Sequence, residues 1–171
     1  MRQPRPAMFG LPVKNLSEKR VQLKVLVVDD QRPVLETLGA MLTRAGYRAI
    51  GVPSGAQALA AARLTAYDAA LIDIFMPEMD GFETALRLRQ QGEKRGRTIR
   101  MWHMTGMNNP EVESRSARCG MMGLLLKPFD FSHLSKVLEE GFATPVPNVD
   151  EDYPAPLPPK VVDIRQTRPG V

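Results

Sequence analysis

The stretch Ala69-Ala70-Leu71-Ile72-Asp73-Ile74-Phe75-Met76-Pro77-Glu78-Met79-Asp80-Gly81 decides the fold. An apolar run with no polar alternation ends in a single carboxylate and then breaks into a loop punctuated by Pro77 and Gly81. Such a run is the pattern of a parallel strand buried on both faces, and the break sets Asp73 at its carboxyl end. In open α/β sheets ligands bind outside the carboxyl ends of the strands, so an acid there is placed for chemistry as well as for turn formation. Asp80-Gly81 then opens a helix carrying Phe82, Ala85, Leu86 and Leu88.

Outward from this unit the same grammar repeats. Lys24-Val25-Leu26-Val27-Val28 is a β-branched run that stops at Asp29-Asp30, and Pro33 follows where the first turn of a helix accepts it. Val34, Leu35, Leu38, Met41 and Leu42 recur at helical spacing up to Ala45-Gly46. Arg48–Val52 reads as a second strand, and Ser54 as the cap of a second helix. Ile99–Thr105 reads as a fourth strand, followed by a helix opening at Asn109-Pro110 and running to about Arg118. Gly123–Leu126 is the fifth strand, ending in Lys127-Pro128, and Ser132 is a candidate cap for a last helix. Five strands alternating with five helices require right-handed crossovers, and so predict an α/β domain with a doubly wound (βα)5 parallel sheet.

The charge is unevenly distributed along the chain. The chain has 171 residues, 43% of them hydrophobic, and a formal net charge of +4. Residues 1–22 hold Arg2, Arg5, Lys14, Lys19 and Arg20 against Glu18, so the basicity belongs to an N-terminal arm and the body is almost neutral. A nucleic-acid partner is therefore not expected, although a DNA-associated role for the arm stays open as an alternative. Cys119 is the lone cysteine and His103 and His133 are far apart, which argues against a disulfide framework or a soft-ligand metal site. No run approaches membrane-spanning length, and a cytoplasmic protein is expected. Pro145, Pro147, Pro154, Pro156, Pro158 and Pro159 mark a change of character after Ala143. The expected organisation is a flexible basic arm over 1–22, a folded domain over 23–143 and an extended, solvated tail over 144–171.

Four of the five strands end in polar residues: Asp29 and Asp30, Asp73, Thr105 and Lys127. A parallel sheet brings these ends to one edge. Three converging carboxylates repel one another and call for a cation, and an all-oxygen set without imidazole or thiolate favours Mg²⁺.

In their order and spacing, Asp29-Asp30, Leu71-Ile72-Asp73 with Met76–Gly81, Thr105-Gly106 and Lys127-Pro128-Phe129 resemble the receiver (REC, CheY-like) domain of two-component response regulators. The resemblance covers about residues 23–143 and implies a flavodoxin-like sheet of order 2-1-3-4-5. It also implies that Asp73 is the phosphoacceptor, taking a phosphoryl group from a sensor histidine kinase or a histidine phosphotransfer protein. Asp30, Asp73 and the Phe75 backbone carbonyl would hold Mg²⁺, with Asp29 acting directly or through water. Lys127 would pair with Asp73 or a phosphoryl oxygen, Thr105 would bond another, and Lys127-Pro128 would be cis. The family catalyses its own phosphotransfer and autodephosphorylation and is not a turnover enzyme on a separate substrate.

By the same resemblance the chain is a single-domain response regulator. Its output is a contact with a downstream protein, or a homodimer, through the fourth helix, fifth strand and fifth helix. A phosphate sink or relay is the alternative. Leu124 departs from the pattern, since an aromatic residue usually stands three positions before the lysine, which puts the familiar ring-rotation readout in doubt. Phe75 and Met107, two positions beyond Asp73 and Thr105, are placed to hinder an attacking water. His103, Trp102 and Cys119 read as packing residues, and the run Lys94-Arg95-Gly96-Arg97 with Arg100 as a solvated loop.

Overall fold

The computed structural model describes residues 23–107 and 109–149. The expectations for residues 1–22 and 150–171 lie outside the described residues. Five strands, β1 (Lys24–Val28), β2 (Arg48–Val52), β3 (Ala69–Asp73), β4 (Arg100–Thr105) and β5 (Gly123–Leu126), alternate with five helices. These are α1 (Arg32–Arg44), α2 (Gly55–Leu64), α3 (Gly81–Glu93), α4 (Pro110–Arg118) and α5 (Phe131–Ala143). All strand pairs are parallel and the order is β2-β1-β3-β4-β5, as the resemblance implied.

Side-chain caps set four of the helix starts. The Ser54 hydroxyl accepts from the Gln57 amide, Asp80 from Glu83, Asn109 from Glu111 and Asp130 from His133. Each satisfies an amide that the first helical turn leaves unpaired. The last helix thus begins earlier than its sequence suggests: Asp130, not Ser132, is the cap, because its carboxylate reaches the third amide while Ser132 already lies in the first turn. β4 begins at Arg100, with Ile99 buried just before it.

The strand alternation splits the core into two layers. Val25, Val27, Ala69, Leu71, Trp102, Met104 and Leu125 face α1 and α5. Leu26, Val28, Ala70, Ile72 and Met101 face α2, α3 and α4. The register pairs Val28 with Ile72, Asp73 with Met104 and Thr105 with Leu126. Asp29, Asp73, Thr105 and Lys127 therefore come level at one edge, the consequence of strands that stop together.

Residues 144–149, assigned to the solvated tail by the sequence, touch the folded body. Val149 is half-buried against the α2–α4 layer. Arg89 on α3 donates to the Pro147 carbonyl at 3.3 Å and, through its other terminal nitrogen, to the Gly120 carbonyl. Gly120 has φ +68°, and a Cβ there would sit 2.8 Å from the Asn148 carbonyl oxygen. Both the turn and the close approach require glycine. Likewise Arg95 and Arg100, read as solvated, donate to backbone carbonyls: Arg95 to Ala62 and Arg63 at the end of α2, Arg100 to Gly141 of α5.

Candidate acidic site at the carboxyl edge of the sheet

Carboxylate oxygens of Asp29, Asp30 and Asp73 lie within 4.8 Å of one another. Asp29 and Asp73 are buried and Asp30 is exposed, so the cluster opens to solvent on one side. The Lys127 ammonium reaches in from the end of β5, 2.6 Å from Asp29 Oδ2 and 2.8 Å from Asp73 Oδ1. The Lys127–Pro128 peptide is cis. Three carboxylates against one ammonium leave an excess of negative charge suited to a divalent ion. The donors are all hard oxygens, so the residues present fit Mg²⁺.

Burial pushes the Asp73 carboxyl above the ordinary range. The hydrogen bond and charge of Lys127 pull it back, while Asp29 and Asp30 push it further up. An ion-paired acid would ordinarily titrate low; here desolvation and two like charges win. Burial alone would lower Lys127, but its bonds and charge interactions with Asp29 and Asp73 outweigh that and raise it. The lysine is thus held as a cation.

Asp29 has a second task, accepting from the Gln31 amide at 2.9 Å and so fixing the turn into α1. The loop after β3 is held as tightly. Gly81 donates to the Ile74 carbonyl at 2.9 Å, and a Cβ at Gly81 would overlap the Asp73 carbonyl oxygen. Glu78 turns the loop with φ +67°.

The structure brings Asp29, Asp30, Asp73 and Lys127 together. Thr105 is buried beside them, but its hydroxyl is engaged locally: it accepts from the Met107 amide at 3.1 Å. Phe75 and Met107 are 54% and 50% exposed, large apolar side chains on the two loops that follow β3 and β4.

Two buried polar residues have partners that the sequence does not disclose, one of them His103, read as a packing residue. His103 is fully buried on β4, with Nδ1 2.8 Å from Ser116 Oγ and Nε2 3.1 Å from the Gly81 carbonyl oxygen. Burial lowers its pKa to about 4. The carbonyl can only accept, so Nε2 carries the proton and Nδ1 accepts from Ser116. Arg89 is the other. The one sequence signal for His103 is a polar residue inside an apolar strand, and for Arg89 a charge three and four positions after Leu86 and Ala85, on their side of the helix.

A five-stranded parallel sheet of this order, with an acidic cluster and a lysine at its carboxyl edge, defines a receiver-type α/β domain. Residues 25–139 match the response regulator receiver domain family, and the chain belongs to it. The virulence sensor protein BvgS of Bordetella pertussis is 36% identical over 131 residues, and the transcriptional regulatory protein ZraR of Klebsiella oxytoca 34% over 122. These matches take in 74% and 71% of this chain, which spans only 10% and 27% of those relatives. Among solved structures, Vibrio cholerae chemotaxis protein CheY4 superposes with a TM-score of 0.65 at 31% identity, over 69% of this chain and 97% of that one. The receiver domain of sensor histidine kinase PA1611 from Pseudomonas aeruginosa, with a magnesium ion coordinated in its active-site cleft, gives 0.62 at 30%, over 71% and 98%. No helix among the described residues is long and apolar enough to cross a membrane.

Proposed function

We propose that this receiver accepts a phosphoryl group on Asp73 from a phosphohistidine of a sensor histidine kinase or histidine phosphotransfer protein. A carboxylate oxygen of Asp73 forms the new bond to phosphorus. The phosphorus–nitrogen bond breaks in line, and the leaving imidazole keeps the electron pair. The observation that carries this reading is the Lys127 ammonium shared between Asp29 and Asp73 inside a three-carboxylate cluster. Asp30, Asp73 and the Phe75 carbonyl are the proposed Mg²⁺ ligands, with Asp29, tied to Lys127, contributing directly or through water. A bound Mg²⁺ would offset charge on the transferring oxygens. Lys127 stabilises one of those oxygens, and the Thr105 hydroxyl turns from Met107 to bond another.

An apolar groove of about 290 Å³ lined by Val34, Leu38, Met41, Pro128 and Phe129 adjoins Lys127. It suits the docking of the histidine-bearing partner. Output runs through protein contact at α4, β5 and α5, where Leu126 is 38% exposed, to a downstream target or a second copy. In this reading the receiver works in the cytoplasm as a response regulator.

Incubating the full chain with Mg²⁺ and acetyl phosphate tests the chemistry by intact mass. The parent gains one phosphoryl group and Asp73→Asn gains none; equal gain by both overturns the assignment.

A further inference from the structure

Strand alternation puts His103 on the face of β4 that packs against α2, α3 and α4, beside Met101, where an apolar side chain would satisfy the core. Instead both ring nitrogens are used, and they reach two different helices. Nε2–H donates to the carbonyl of Gly81, the first residue of α3, and Nδ1 accepts from Ser116 in the last turns of α4. Gly81 in turn lies against the Asp73 carbonyl and donates to Ile74, and the Ile74 amide donates to Met104 beside His103 at 3.1 Å. A continuous set of contacts thus runs from the Asp73 backbone through Gly81 and His103 to α4.

The same two helices are joined again, from the buried Phe82 out to the half-exposed Arg115 and Asp80. Phe82 meets the His103 ring edge-on with centroids 4.8 Å apart, and the Arg115 guanidinium stacks over Phe82 at 3.9 Å. Arg115 also pairs with Asp80 at 3.5 Å. The Arg115 stack and ion pair tie α4 to the end of the loop that begins at Asp73. α4 also packs on β5, where Leu124 occupies the position at which an aromatic residue is expected.

We propose that His103 is a positioning residue that couples α4 to the loop 74–81, so that a phosphoryl group on Asp73 is reported to α4 through the Gly81–His103–Ser116 bridge. The inference rests on Asp73 being the phosphoacceptor. A group added to Asp73 shifts the loop that Gly81 closes, and draws Thr105, two residues beyond His103 on the same strand. Either displacement is passed to Ser116, because a buried hydrogen-bonded pair has no water to exchange with.

Hydrogen exchange of the α4 amides, residues 110–118, measured on the full chain with and without Mg²⁺ and beryllofluoride, tests the bridge. Ser116→Ala removes one hydroxyl, and His103→Leu removes the ring. In the parent, beryllofluoride changes α4 exchange. In Ser116→Ala that change shrinks by about threefold to tenfold, the range one buried hydrogen bond supports. His103→Leu and the double variant respond like Ser116→Ala, since one bridge is cut in each. All three retain phosphoryl uptake from acetyl phosphate within about twofold of the parent, a readout that loss of folding would not spare. If His103→Leu does not fold, Ser116→Ala decides alone. An α4 response of parental size in Ser116→Ala, with uptake intact, overturns the bridge. A parent that gains no phosphoryl group overturns the acceptor reading, and the bridge with it.

Discussion

Lys127 and Arg89 are both withdrawn from water, one at the carboxyl edge of the sheet and the other toward the amino edge, and their partners differ in kind. Lys127 faces two carboxylates at 2.6 and 2.8 Å and its pKa is raised. Arg89 faces the carbonyls of Gly120 and Pro147, its Nε has no hydrogen-bond partner among the described residues, and burial lowers its pKa. Charge against charge creates a site that can trade partners with an incoming phosphoryl group. Charge against backbone dipoles creates a fastening, here one that pins residues 147 and 148 over Gly120. The two edges of one sheet therefore divide chemistry from structure.

The sharpest way to break that division is Lys127→Met. It leaves Asp29 and Asp73 buried with no cation and removes the pull that keeps Asp73 from rising further. Phosphoryl uptake from acetyl phosphate should slow by roughly 10²- to 10³-fold, the scale of losing one preorganised donor. Initial rates followed by intact mass check this, and a loss below about tenfold would place Lys127 with the fastenings.

His103 lies between the two regions and is neutral, which sets the next effect. Its folded pKa of about 4 is below the ordinary 6.5, so the unfolded chain binds its proton first. The contribution of the neutral ring is fully present above about pH 6.5 and is lost as pH falls toward 4, a span on the order of 3 kcal/mol. Urea unfolding at several pH values should show this slope in the parent and not in His103→Gln.

Arg89→Met sharpens the comparison from the other side. Two carbonyls lose their donors while an incompletely bonded charge is removed, so stability should fall by only about 1–2 kcal/mol. Exchange of residues 145–149 should quicken, and phosphoryl uptake should stay within about twofold. A smaller effect is expected at the rim. Phe75→Asn with Met107→Lys replaces the two exposed apolar groups and should speed autodephosphorylation several-fold, about 1 kcal/mol of barrier. A rate equal to the parent's would remove the shielding role.

The same contrast explains what the sequence disclosed. Asp29, Asp30, Asp73, Thr105 and Lys127 were legible because each follows an apolar run, and parallel strands that stop together must share an edge. The order of the sheet came from resemblance to a family, not from periodicity. The fastening was not legible: Arg89 meets partners 31 and 58 residues away through backbone carbonyls, which carry no sequence signature. Nor was the pairing of His103 with Ser116, because a histidine in a strand says nothing of what the helices beyond it present. Ser132 is a candidate cap by sequence and Asp130 is the cap in the structure; both types serve at that position, and only backbone geometry chooses between them.

Phosphoryl acceptance by Asp73 within a cation-dependent acidic cluster underlies every role assigned to the other residues. The most direct measurement is to titrate Mg²⁺ from a chelated start in the presence of acetyl phosphate, then locate the modified residue by peptide mass mapping. The modification should fall on Asp73 and rise from background with added Mg²⁺. Modification at any other residue, or uptake unchanged by chelation, would contradict it.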